Sequence, residues 1–199
     1  MSKLFNISLE WLLGCLISST AYAILFYFNG WLTNHLVFSL GVNWIYLPAG
    51  LRLFLTLIFG FPGALGIAIA SFLISYYGGF PQELTLCIGI GLISGFAPYL
   101  ARCFVFNNLK LDSDLSNLNF PKLIVCILIY ALLSAGLHQW WFSTMDLENA
   151  GGLNHFLVML TGDVLGSLLL ISLIKFCLDL LKRTKKIVHW VLRPDWWRA

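Results

Sequence analysis

Charge is scarce in this chain: 12 Lys+Arg and 9 Asp+Glu make up 11% of 199 residues, against about 25% in an ordinary soluble domain. That shortage excludes a sizeable water-soluble globule, a charged coiled coil and a disordered chain. Paired cysteines are lacking too. Cys15, Cys87, Cys103, Cys126 and Cys177 each sit alone within or at the end of an apolar run, which argues against a disulfide framework and for small packing residues. The four histidines show no HxxxH or HxH spacing, so no metal site is expected. GxSxG, HExxH, P-loop and paired-carboxylate patterns are all missing, so we expect neither an enzyme nor a cofactor.

What the chain has in excess is oil. Apolar residues reach 59% and mean hydropathy is +0.85. At about 20 residues per bilayer crossing, this composition predicts an all-α, polytopic integral membrane bundle. Six apolar runs, at 9–30, 44–60, 62–78, 84–106, 122–142 and 153–175, are read as six transmembrane helices forming one domain over 1–175. Breaks are expected at Asn29-Gly30, at Gly60-Phe61-Pro62-Gly63 and at Gly78-Gly79-Phe80-Pro81. Ala21-Tyr22-Ala23 resembles a leader-peptidase site, but the apolar run continues through Phe28, so a retained first helix is expected.

Orientation follows from the loops. Segments 30–43, 79–83 and 143–152 hold no Lys or Arg, whereas Lys3, Arg102, Lys110, Lys122 and the C-terminal region carry the positives. The positive-inside rule then predicts six crossings with both termini cytoplasmic. Seven of the twelve basic residues lie between Lys175 and Arg198. Segment 176–199 reads as a basic amphipathic cytoplasmic tail in which Lys182, Arg183, Lys185 and Lys186 face anionic lipids. Because the basic excess is local, nucleic acid is not an expected partner.

Ionisable residues within apolar runs are the informative exceptions, since each costs at least about 2.5–3.5 kcal/mol at a helix centre. Arg52 and Asp163 qualify. Both fall about 10–15 Å below the same surface at 1.5 Å per residue. They read either as a structural ion pair or as a ligand, gating or proton site. Pro48 and Gly50 beside Arg52, and Gly162 and Gly166 beside Asp163, predict close helix packing around them. Pro98 predicts a kink. His138, Gln139, His155 and Glu83 fall near the outer boundary and form a candidate vestibule, or face headgroups.

Trp44-Ile45-Tyr46-Leu47-Pro48-Ala49-Gly50-Leu51 and Gly162-Asp163-Val164-Leu165-Gly166 resemble the tryptophan-x-proline-x-glycine and glycine-aspartate-x-x-glycine helices of MASE1, a bacterial membrane sensory domain. The likeness covers about a fifth of the chain, and Trp44 stands one residue further from Pro48 than the pattern has it. MASE1 domains usually carry more helices and feed a histidine kinase or a diguanylate cyclase, whereas this chain shows six runs and a basic tail without an output domain. The resemblance implies a sensory or small-ligand-binding module of the bacterial inner membrane that works through a separate signalling partner. A small-solute transporter or substrate-binding component served by an ATPase partner, and a structural or assembly subunit, stay open beside it.

Overall fold

The computed structural model describes residues 2–112, 115, 117–148 and 150–191, with side chains described from residue 8 and, in the last helix, excluding 178 and 182–191. The described residues form an all-α bundle of six α-helices: α1 Ser2–Thr33, α2 Leu47–Phe59, α3 Phe61–Tyr77, α4 Leu84–Asn108, α5 Phe120–Thr144 and α6 Leu153–Val191. Four of them, α1, α4, α5 and α6, are long and apolar enough to cross a membrane. The two other runs form shorter helices of 13 and 17 residues, about 20 and 26 Å long at 1.5 Å per residue. These pack tightly against the long ones, α3 against α1 and α4, and α2 against α6.

The turn between α2 and α3 is one residue, Gly60, at φ +62, a left-handed conformation that glycine adopts without strain. Pro62 follows in the first turn of α3, where its missing N–H leaves nothing unsatisfied. Arg102 of α4 sits beside this turn and donates from Nε to the Leu57 carbonyl at 3.5 Å, one of the C-terminal carbonyls that α2 cannot bond itself. Its guanidinium also lies 4.4 Å from the Phe106 ring centroid.

Three sequence expectations are modified. Asn29-Gly30 does not end the first helix, because α1 continues to Thr33. The Asn29 side chain accepts from the Leu47 N–H at 3.0 Å and donates to Thr33 Oγ1 at 3.0 Å; it caps α2 and leaves the backbone of α1 undisturbed. The segment after α1 is not an open loop. A 3-10 turn, Asn34–Leu36, leads into two short antiparallel strands, β1 Val37–Ser39 and β2 Val42–Asn43, joined through Gly41 at φ +74. Finally, α6 crosses the 175/176 boundary and runs to Val191. The side chains of Lys182, Arg183, Lys185 and Lys186 lie outside the described residues. Pro98 sits buried inside α4, which stays helical around it.

Close approach is concentrated where the glycines predicted it, with one difference of partner. A Cβ on Gly50 would stand 2.8 Å from the Ser167 Cα of α6, so α2 and α6 pack backbone to backbone there. Gly162 and Gly166 instead receive the chain just before α2: a Cβ on either would collide with the Asn43 or Tyr46 carbonyl oxygen. The Tyr46 N–H donates to the Gly162 carbonyl at 3.1 Å. These glycines therefore seat the entry of α2 on the flank of α6.

Candidate functional site

Arg52 is held in position from three directions. Pro48 lies in the first turn of α2 and is buried, Asn29 fixes the helix start, and Gly50 sets α2 against α6. Arg52 as a whole is 4% exposed. Its guanidinium lies between two phenol rings, 5.0 Å from the Tyr22 centroid and 5.1 Å from that of Tyr46. Nη2 donates to Tyr22 Oη at 2.5 Å and to Tyr46 Oη at 3.0 Å, and the two phenols are 3.1 Å apart. Cation–π attraction and charge-assisted hydrogen bonds thus replace part of the lost hydration. Nε and Nη1 have no hydrogen-bond partner.

Asp163 is equally buried, at 1% exposed, and lies within electrostatic reach of Arg52 and of Tyr130. The two charges share one region of the bundle without forming an ion pair of contact length. Asp163 Oδ2, Tyr130 Oη, Ser134 Oγ and Ser167 Oγ are buried and make no hydrogen bond of good geometry, although Ser134 lies close enough to Asp163 and to Tyr130 to interact with both. A buried polar group left unpaired costs about 1–3 kcal/mol, more when charged, so these groups are expected to satisfy one another by small side-chain adjustments.

On the other side of Arg52 a cavity of about 280 Å³ opens. Arg52, Tyr22 and Tyr46 line one side, Ser71, Ser94 and His138 another, and aromatic rings of Phe26, Phe80 and Phe142 much of the rest. The β1–β2 hairpin and the Gly78–Phe80 turn contribute its far end. Gly41 at the hairpin tip is pressed against Phe80, whose Cζ would lie 2.8 Å from an added Cβ, and Phe80 packs on Phe142 at 5.9 Å between centroids. The hairpin therefore caps the cavity by ring contacts.

Ser71 of α3, Ser94 of α4 and His138 of α5 form a continuous line. Ser71 Oγ donates to Ser94 Oγ at 2.9 Å, Ser94 Oγ is 3.3 Å from His138 Nε2, and His138 Nδ1 is 2.8 Å from the Ser134 carbonyl. All three are almost wholly buried. Of the four residues suggested as a vestibule, His138 alone lines the cavity. Gln139 is buried behind it, accepting from the Gly151 N–H at 2.9 Å and contacting Met159 Sδ at 3.5 Å. His155 packs edge-on to Phe38, and Glu83 is exposed at the start of α4.

Sequence reasoning missed Tyr22, Tyr46, Ser71 and Ser94. A phenol buried in an apolar helix needs a hydrogen-bond partner, so Tyr22 and Tyr46 carried a signal; the serines, common in membrane helices, did not. No family model, no curated protein and no solved structure matches the chain.

Proposed function

We propose that this chain is a small-ligand-binding membrane module of MASE1-like sensory type, crossing the bacterial inner membrane six times with both termini in the cytoplasm. Through the basic segment 176–199 it would act on a separate signalling partner and on anionic lipids. The observation that carries the reading is the cavity of about 280 Å³ with the buried Arg52 and its two phenol partners, Tyr22 and Tyr46, among the residues that line it. A concave, mainly apolar chamber with a few convergent polar groups is the ordinary form of a ligand site, and its volume suits a small molecule. The two segments that resemble MASE1 add support, since they dock on each other through Tyr46 and Gly162.

Binding is favoured over catalysis by the setting of Ser94 and His138. Ser94 lies inside α4, where backbone N–H groups are spent on the helix and none is positioned to hold an oxyanion. A substrate-binding component of an uptake system would use the same cavity, and the partner that co-purifies, a kinase or cyclase against an ATPase, separates the two. The test of binding itself is thermal unfolding of the detergent-purified chain with candidate metabolites. A ligand at 100 times its Kd adds about 2.7 kcal/mol. Gly30, which lines the cavity and has nothing within 4 Å of an added Cβ, is the place to obstruct it: Gly30→Trp should remove the ligand-dependent shift and keep the fold. Shifts that survive this substitution unchanged would mean binding elsewhere.

A further inference from the structure

The buried hydroxyl of Ser75 is the open hydrogen-bonding group of a cavity whose one charge is already spent. On the binding reading above, we infer that the ligand is an uncharged, mainly aromatic molecule of about two fused rings that carries a neutral hydrogen-bonding group for Ser75. Arg52 is the only Lys, Arg, Asp or Glu among the residues lining the cavity. Its Nη2 donates to both phenols, and its Nε and Nη1 are sealed from any accessible surface. No guanidinium N–H is therefore left to meet an anion, and Asp163 lies within electrostatic reach to balance the charge. No carboxylate lines the cavity to receive a cation. An ion of either sign would give up its hydration there without a partner, which costs several kcal/mol.

The neutral groups of the wall are spent in the same way, with one exception. Asn29 is used up on Leu47 and Thr33. Ser71 and Ser94 bond to each other, and His138 places one ring nitrogen 3.3 Å from Ser94 Oγ and the other 2.8 Å from the Ser134 carbonyl. Ser75 lies one turn beyond Ser71 on α3, and Ser71, Ile74 and Ser75 all line the cavity, which is the spacing of one helix face. The residue is 4% exposed, and among the described residues its side chain makes no hydrogen bond. It is also absent from the buried side-chain atoms sealed off without a partner, so its hydroxyl keeps accessible surface, and the space it faces is the cavity. A hydroxyl both donates and accepts, so a neutral hydroxyl on the ligand satisfies it.

Size and lining define the rest of the molecule. The volume of about 280 Å³ is nearly twice the roughly 150 Å³ of an apolar cavity that takes up benzene. Rings of Tyr22, Phe26, Tyr46, Phe80 and Phe142 stand in the wall, and aromatic faces and edges favour a planar aromatic guest.

The test uses the purified full-length chain in detergent and four probes of one skeleton: 2-naphthylmethanol, 2-methylnaphthalene, 2-naphthoate and 2-naphthylmethylammonium. Equilibrium dialysis against the native chain and against Gly30→Trp, whose cavity is obstructed, separates binding in the cavity from uptake by the micelle. The alcohol should bind tightest. Loss of its hydroxyl should weaken binding about tenfold, one hydrogen bond's worth, and either ion should bind at least about a hundredfold more weakly. Ser75→Ala should fold as well as the native chain, because it removes a buried hydroxyl that has no protein partner, and should bring the alcohol and the hydrocarbon to equal affinity. An alcohol preference that survives Ser75→Ala overturns the assignment of Ser75. Either ion binding the cavity as tightly as the alcohol overturns the ligand class and leaves the binding reading standing, as does a retained native molecule that is ionised at neutral pH. Failure of all four probes to distinguish the native chain from Gly30→Trp, in a protein whose native mass spectrum also shows no retained small molecule, overturns both.

Discussion

At the scale of single residues, Arg52 and Asp163 are coupled through space without touching, and that predicts an asymmetric pair of mutational costs. Arg52→Gln breaks two hydrogen bonds from a charged donor to Tyr22 and Tyr46 and strands a buried carboxylate, so a loss of about 3–5 kcal/mol is expected. Asp163→Asn removes a group whose Oδ2 has no partner and should cost less. If the charges interact, the double variant Arg52→Gln, Asp163→Asn recovers part of the first loss, because no lone charge remains; thermal unfolding of the three variants in one detergent measures this. Strict additivity would show that the two residues do not interact. Both charges were legible from sequence, because an ionisable residue in an apolar run is conspicuous at any position. Their surroundings were not: which tyrosines and serines converge on them depends on how α1, α3, α4 and α5 are rotated, and nearly uniform apolar helices give no facial pattern from which to read rotation.

At the scale of elements, two glycines of opposite setting separate packing from propensity. Gly166 receives the Tyr46 carbonyl in the space where a Cβ would stand, so Gly166→Ala should force α2 away from α6 and cost about 1–3 kcal/mol. Gly30 is inside α1 with open space around it, and Gly30→Ala should stabilise the helix by roughly 0.5–1 kcal/mol. Unfolding temperatures moving in the same direction for both would contradict the packing. The start of α2 offers a third case. Asn29→Ala removes the side-chain oxygen that satisfies the Leu47 N–H, with about 1 kcal/mol of capping lost. Sequence gave the wrong sense here. An Asn-Gly pair is a strong turn signal when nothing else uses the asparagine, and its tertiary role as a cap supplied from another helix cannot be seen locally. The β1–β2 hairpin was hidden for a related reason, since strands of three and two residues are too short to establish an alternating pattern.

At the scale of the whole molecule, the connections free of Lys and Arg and the end that holds Arg102 lie at opposite ends of the bundle. The hairpin tip at Gly41 meets Phe80 and Phe142, Phe38 meets His155, and Gly151 lies against Ser143, so segments 37–43, 78–80 and 143–155 assemble at one end. Gly60 lies beside Arg102 at the other, together with Gly14 of α1, whose Cβ position is 3.3 Å from Phe59 and Pro62. Positive charge kept to one end is what fixes orientation in a bilayer, and the hairpin end should therefore face outward. In a variant freed of its native cysteines, single cysteines in 30–43, 79–83 and 143–152 should react with an impermeant maleimide added to intact cells, and those in 107–120 only after permeabilisation. The short helices α2 and α3 are the sharper case. If they cross the membrane as a pair, Phe61→Cys at their turn should label only from the cytoplasmic side. A Phe61→Cys thiol blocked by neither side's reagent would mean that α2 and α3 dip into the bundle and return, giving four crossings around a helical hairpin. Labelling of 107–120 from outside would reverse the orientation, and would place the capped cavity on the cytoplasmic face, where its ligand would be an internal metabolite.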